Sequence, residues 1–181
     1  MDPTGYQDLL SQARFSCDLL TLAFAGVIGQ SLAAQRRPLI RGLSESRFKR
    51  LLNEYFPQLE FPNGIPADAK PAPDEFDELL GVLLQHRLEP TEQRAWLSYA
   101  IASAATGGGS LWRAMGLPSR AVLFELLRDN FPRVAAANVG DAKWNDFFCR
   151  ELCEPGSRGT DQQPFCAPCA DREACFPDAK S

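Results

Sequence analysis

Residues 50–57 read Arg50-Leu-Leu-Asn-Glu-Tyr-Phe-Pro57, and residues 125–132 read Glu125-Leu-Leu-Arg-Asp-Asn-Phe-Pro132. The octets share one order: a charged residue, a Leu pair, a polar residue, an acidic residue, a residue that differs (Tyr55 or Asn130), then Phe-Pro. The Leu pair and the Phe fall at helical spacing, on one face of a single helix. Each octet is preceded by Gly-Leu, at Gly42-Leu43 and Gly116-Leu117, and further back by an Ala-rich apolar segment. The chain therefore reads as two helical hairpins related by an approximate duplication and packed as an all-α bundle.

The rest of the first 150 residues fits that frame. Apolar residues recur three and four apart in segments 9–32, 48–56, 76–84, 95–105, 122–131 and 144–152. No segment alternates for long, so no strand is predicted. Ser44, Asp74, Thr91 and Pro118-Ser119 stand where helices should start. Gly29, Gly42, Gly107-Gly108-Gly109 and Gly116 stand where helices should end. Four prolines, Pro62, Pro66, Pro71 and Pro73, make 61–73 a stiff connector.

Composition narrows the function class. The chain has 181 residues, 45% of them hydrophobic and 23% charged, as in an ordinary globular domain. A net charge of −4 argues against a nucleic-acid partner, which would call for a basic surface. The longest apolar run, Leu-Leu-Thr-Leu-Ala-Phe-Ala-Gly-Val-Ile at 19–28, is about half a membrane span, so no membrane partner is expected. Met1-Asp2-Pro3 provides no basic region for a signal peptide, and the expected location is the cytoplasm, where thiols stay reduced.

Five of the six cysteines, Cys149, Cys153, Cys166, Cys169 and Cys175, fall in the last 33 residues. Cys166-Ala-Pro-Cys169-Ala-Asp-Arg-Glu-Ala-Cys175 is a C-x2-C-x5-C run. A two-residue gap lets two sulfurs reach one centre, and Pro168 fixes the turn between them. Such a set holds a metal or an iron–sulfur cluster; the alternative, a pair of disulfides, belongs to secreted proteins. Cys149 and Cys153 lie four apart, on one face of the segment at 144–152 and just beyond it, and form a half-site that the later cysteines can close. Cys149 also reads as a small core residue beside Phe148 and Leu152, and Cys17 as core on the apolar face of the first helix. The division expected is a helical domain at 1–148 and a cysteine-rich tail at 149–181 that folds around its metal.

Other features carry less chemistry. His86 is the only histidine. It stands at the end of an apolar helix, a packed or surface residue or a secondary metal candidate. With one histidine, neither a Ser/His/Asp nor a Cys/His nucleophile can be assembled, so no catalytic residue is assigned. The triple glycine is not a phosphate loop, since no strand precedes it and no Lys-Ser/Thr follows. Asp74, Glu75, Asp77 and Glu78 read as a solvated helix start, favoured by the helix dipole.

A wider pattern is carried by Asp74-Glu-Phe-Asp-Glu-Leu-Leu-Gly-Val-Leu-Leu-Gln-His-Arg87, Gly116-Leu-Pro-Ser-Arg120, Leu126-Leu-Arg-Asp-Asn-Phe-Pro132 and Asn138-Val-Gly-Asp-Ala-Lys-Trp-Asn-Asp-Phe-Phe148. It runs on through Arg150-Glu-Leu-Cys153 to Cys175-Phe176. In this order the blocks resemble the NifQ family, over most of 19–177. The resemblance implies a metal carrier rather than an enzyme. It would be a protein of nitrogen fixation that binds a molybdenum–iron–sulfur cluster and supplies molybdenum for the iron–molybdenum cofactor of nitrogenase. Implied partners are the cofactor assembly proteins (a scaffold and the iron protein), with molybdate as the metal source.

The family's tail motif is C-x4-C-x2-C-x5-C. Cys166, Cys169 and Cys175 take its last three positions, and Asp161 stands where the first cysteine belongs. Cys153 is the favoured replacement ligand, with Asp161, Cys149 or an exogenous group as the alternatives, and His86 stays a secondary metal candidate. The reading from another class is a helical protein-interaction module with a structural zinc site built on the same thiolates. A third is an electron-transfer iron–sulfur protein.

Overall fold

Two helices apolar on nearly every side organise the molecule. The computed structural model describes residues 5–59, 75–106 and 110–138, and all regular structure among them is helical. In chain order the elements are α1 (Tyr6–Ser11), α2 (Leu19–Ala33), α3 (Glu45–Tyr55), α4 (Glu75–His86), α5 (Glu92–Ala105), α6 (Leu111–Ala114), α7 (Arg120–Asn130) and α8 (Pro132–Ala137). α2 carries Ala23, Phe24, Ala25, Val27 and Ile28 in sequence, and all are buried. α5 buries Trp96, Leu97, Ala100, Ile101 and Ala102 in the same way. A helix without a polar face has to sit in the middle, and α2 and α5 pack on each other there.

Side-chain caps fix where these helices begin. Asp18 accepts the Thr21 N–H at 3.1 Å to open α2, and Thr91 accepts the Arg94 N–H at 3.4 Å to open α5. The outer helices are amphipathic. α3 turns Phe48, Leu51, Leu52 and Tyr55 inward and leaves Glu45, Lys49 and Arg50 in solvent. There Lys49 pairs with Glu45 at 2.6 Å, and Arg50 pairs with Glu92 of α5.

The sequence repeat has a structural counterpart. Gly42 and Gly116 both take left-handed backbone angles, φ 72° and φ 64°. Leu43 and Leu117 follow, both buried, and Ser44 and Ser119 occupy the N-cap positions of α3 and α7. Both helices have 11 residues and end on a fully buried Phe in nearly the same conformation: Phe56 at φ −133°, ψ 60° and Phe131 at φ −136°, ψ 61°. The last carbonyl of each accepts a distant N–H at 2.8 Å, from Arg14 to Tyr55 and from Leu88 to Asn130. The glycine turns dock crosswise. Gly116, from the second half, lies against Gly26 of α2, while Gly42, from the first, lies against Phe76 of α4 and Tyr99 of α5. The Arg41 N–H donates to Ser103 Oγ of α5 at 2.9 Å and ties the first turn down. α6 and α8 belong to the second half only.

Several expectations need correction. Segment 9–32 is not one helix, because Asp18 caps a new start and separates α1 from α2. Cys17 consequently lies in the turn between them and is exposed, not in the core. Gly29 does not end a helix; it lies inside α2, packed beside Leu9 and Tyr6. Pro132 opens α8, at a first-turn position where its absent N–H is no loss. The segment at 144–152, the connector at 61–73 and the triple glycine lie outside the described residues. Among the described residues, no helix is long and apolar enough to cross a membrane.

Candidate metal centre

The described helices hold no complete metal site. No group of three or more His, Cys, Asp or Glu side chains among them is placed to bind an ion. Cys17 is a free, exposed thiol. The sequence-derived ligands Cys149, Cys153, Asp161, Cys166, Cys169 and Cys175 all lie outside the described residues. Asp77 and Glu78 are exposed in the first turn of α4, as a solvated helix start requires.

His86 is the remaining candidate, and its surroundings are well defined. It is the last residue of α4, where a cationic or hydrogen-bonding side chain suits the negative end of the helix. Arg87 closes the helix by donating from a terminal guanidinium nitrogen to the Leu84 carbonyl at 2.7 Å. Pro90 prevents any continuation. The Leu88 N–H bonds the Asn130 carbonyl at 2.8 Å, and the Asn130 side chain donates to the Leu126 carbonyl at 2.8 Å. α8, which begins two residues after Asn130, packs on both α7 and α4. The corner is thus held by the Leu88–Asn130 backbone bond, with the Arg87 guanidinium closing the end of α4.

Those side chains are not fully satisfied. His86 Nδ1 is buried without a hydrogen-bond partner, and so is Arg87 Nε. Sequence reading singled out His86 but missed Arg87. Nothing in Gln85-His86-Arg87 marks an unpaired guanidinium nitrogen; that follows only from the Leu84 carbonyl holding the other arm.

A second polar feature in the core is structural. Tyr55 packs edge-on against Phe24, with ring centroids 4.9 Å apart, and against Trp96 at 6.4 Å. Burial, with the carboxylates of Glu54 and Asp18 nearby, pushes its phenol well above the usual tyrosine range. It therefore remains protonated.

Comparison with known proteins places the chain. The family model described as NifQ matches residues 23–177. Protein NifQ of Azotobacter vinelandii is 31% identical over 152 residues, covering 77% of this chain and 78% of the relative. A NifQ homolog of Sinorhizobium fredii is 30% identical over 177 residues, covering 96% and 75%. Protein NifQ of Rhodobacter capsulatus is 30% identical over 135 residues, covering 75% and 74%. No solved structure matches. The match spans the paired helical units and continues through the cysteine segment, and on that extent the chain belongs to the NifQ family.

Proposed function

We propose that this chain is a molybdenum carrier. It would hold an iron–sulfur cluster on the thiolates of Cys166, Cys169 and Cys175 and deliver molybdenum to the assembly of the nitrogenase iron–molybdenum cofactor. The observation that carries the reading is membership of the NifQ family across a match that includes all three cysteines. The donor chemistry agrees. Soft thiolates suit iron, and the sulfides of a cluster can hold molybdenum. Thiolate anchors at three corners leave one corner open, and a carrier needs an open corner because a closed site does not release its load. Where Asp161 departs from the family motif, Cys153 is the proposed replacement ligand, a thiolate that would have to leave that corner for the load to be released. The chain acts as a binding protein in a reducing cytoplasm, taking its metal from molybdate and passing it to cofactor assembly proteins.

The test is single replacement of Cys166, Cys169 and Cys175 by Ala, with iron and sulfide measured in anaerobically purified protein. Each replacement removes the only protein anchor of one iron and should reduce iron content sharply. Variants that keep the wild-type iron content would remove the basis for the reading. The competing zinc reading rests on the count of four thiolates in C-x3-C…C-x2-C, the number a closed tetrahedral site needs. It predicts a colourless protein, whereas the cluster makes it brown.

A further inference from the structure

We propose that the turn after α2 and the exposed face of α3 dock an acidic face of the protein that receives the molybdenum; this rests on the carrier reading above. Residues 36–50 hold six cations, Arg36, Arg37, Arg41, Arg47, Lys49 and Arg50, against one acid, Glu45. The segment therefore carries +5 in a chain whose net charge is −4, so all the other residues together carry −9. Five of the six cations are exposed. Arg41 is half-buried, with its guanidinium 4.5 Å over the Phe76 ring. Lys49 and Arg50 are met by Glu45 and Glu92. Arg36, Arg37 and Arg47 make no ion pair among the described residues.

The fold itself does not call for this charge. Arg47 is the third residue of α3, where the positive end of the helix opposes a cation. The internal duplication supplies a control. Counting from the paired glycines and octets, Arg41, Arg47, Lys49 and Arg50 correspond to Met115, Val122, Phe124 and Glu125, none of them a cation. The length of the stripe selects the class of partner. The Arg41 N–H is tied to Ser103 and the Arg50 guanidinium to Glu92, so the stripe follows α5 over eleven residues, about 16 Å. That is longer than one small oxyanion can bridge and fits the face of a macromolecule. The −9 on the rest of the chain repels the continuous phosphates of a nucleic acid, whereas a protein with a local acidic patch meets the stripe alone. A carrier must find its receiver and then leave it, and exposed charge speeds encounter without locking the complex.

The experiment loads the full-length chain anaerobically with iron, sulfide and molybdate and follows transfer of molybdenum to the purified scaffold protein of cofactor assembly. Raising salt from about 50 to about 500 mM should slow transfer by the wild-type chain, a measurement that depends on no variant folding. Arg36→Glu/Arg37→Glu/Arg47→Glu should slow transfer at least about tenfold at low salt, with loading and the thermal midpoint unchanged. Arg36→Lys/Arg37→Lys/Arg47→Lys keeps the charge and should transfer at the wild-type rate. Arg14→Glu/Arg133→Glu reverses two exposed cations outside the stripe and should stay within about twofold of wild type. Wild-type transfer indifferent to salt, a stripe variant as fast as wild type, or equal slowing by both charge-reversed variants overturns this inference and leaves the carrier reading standing. A stripe variant that takes up less molybdenum also overturns it, by making these arginines an oxyanion site, as does a wild-type chain that binds a DNA duplex through them. A wild-type chain that takes up no molybdenum, or passes none on, overturns both.

Discussion

Gly26→Ala should be among the most damaging single-methyl additions in the described helices. A Cβ at Gly26 would lie 1.8 Å from the Met115 carbonyl oxygen, 2.8 Å from its carbon and 3.1 Å from Gly116 Cα. All three are backbone atoms of the crosswise-docked turn, so no side chain can swing aside. Restoring ordinary carbon contact requires α2 and that turn to separate by about 1.5 Å. A gap of that size forfeits much of the dispersion between the surfaces, and overpacking of this kind costs about 3 kcal/mol. Alanine's helix preference over glycine returns about 1 kcal/mol. The net loss is about 2 kcal/mol, or a melting midpoint lower by about 4–8 °C for a chain of this size. Gly81 of α4 is the control, since nothing lies within 4 Å of a Cβ built there. Gly81→Ala should stabilise by about 0.5–1 kcal/mol. Urea unfolding followed by circular dichroism reads both changes. A Gly26→Ala chain as stable as wild type, or loss of stability in Gly81→Ala, would refute the reasoning.

Other consequences are open to direct measurement. Cys17→Ala should leave metal content intact and change stability by less than about 0.5 kcal/mol, because the thiol is exposed and unpaired; equal metal loss from this variant and the tail variants would misplace the site. If Cys153 completes the ligand set, Cys153→Ala should bleach readily in chelator while Asp161→Cys changes little; a wild-type cluster in Cys153→Ala with loss in Asp161→Ala would reverse that choice. The folded chain holds the Tyr55 proton more tightly than the unfolded chain, whose tyrosine titrates near 10.0. That contribution to stability is complete below the unfolded value and is lost as pH rises beyond it, and Tyr55→Phe should flatten this alkaline decline.

The helical framework was legible because its signals are local. The Phe-Pro octets, the Gly-Leu turns and the caps Thr91 and Ser119 each act within a few residues, and the structure places them as expected. The crosswise docking of Gly116 on Gly26 was not legible, since two glycines far apart in sequence say nothing about meeting. Asp18 was passed over because the apolar residues on either side of it continue a helical period; its carboxylate capping the Thr21 N–H outweighs that period and moves Cys17 into solvent. On the site, sequence spacing points to the thiolates and the family resemblance to Asp161 in the place of the first motif cysteine, and all of these residues lie outside the described ones. His86 was legible as a lone histidine, whereas its unpaired Nδ1 beside an unpaired Arg87 Nε required coordinates.

The most direct test of the central claim is elemental analysis of the full-length chain purified without oxygen and supplied with molybdate. The carrier account predicts iron and acid-labile sulfide together with molybdenum. Stoichiometric zinc with no iron, persisting after cluster reconstitution has been attempted, would contradict it.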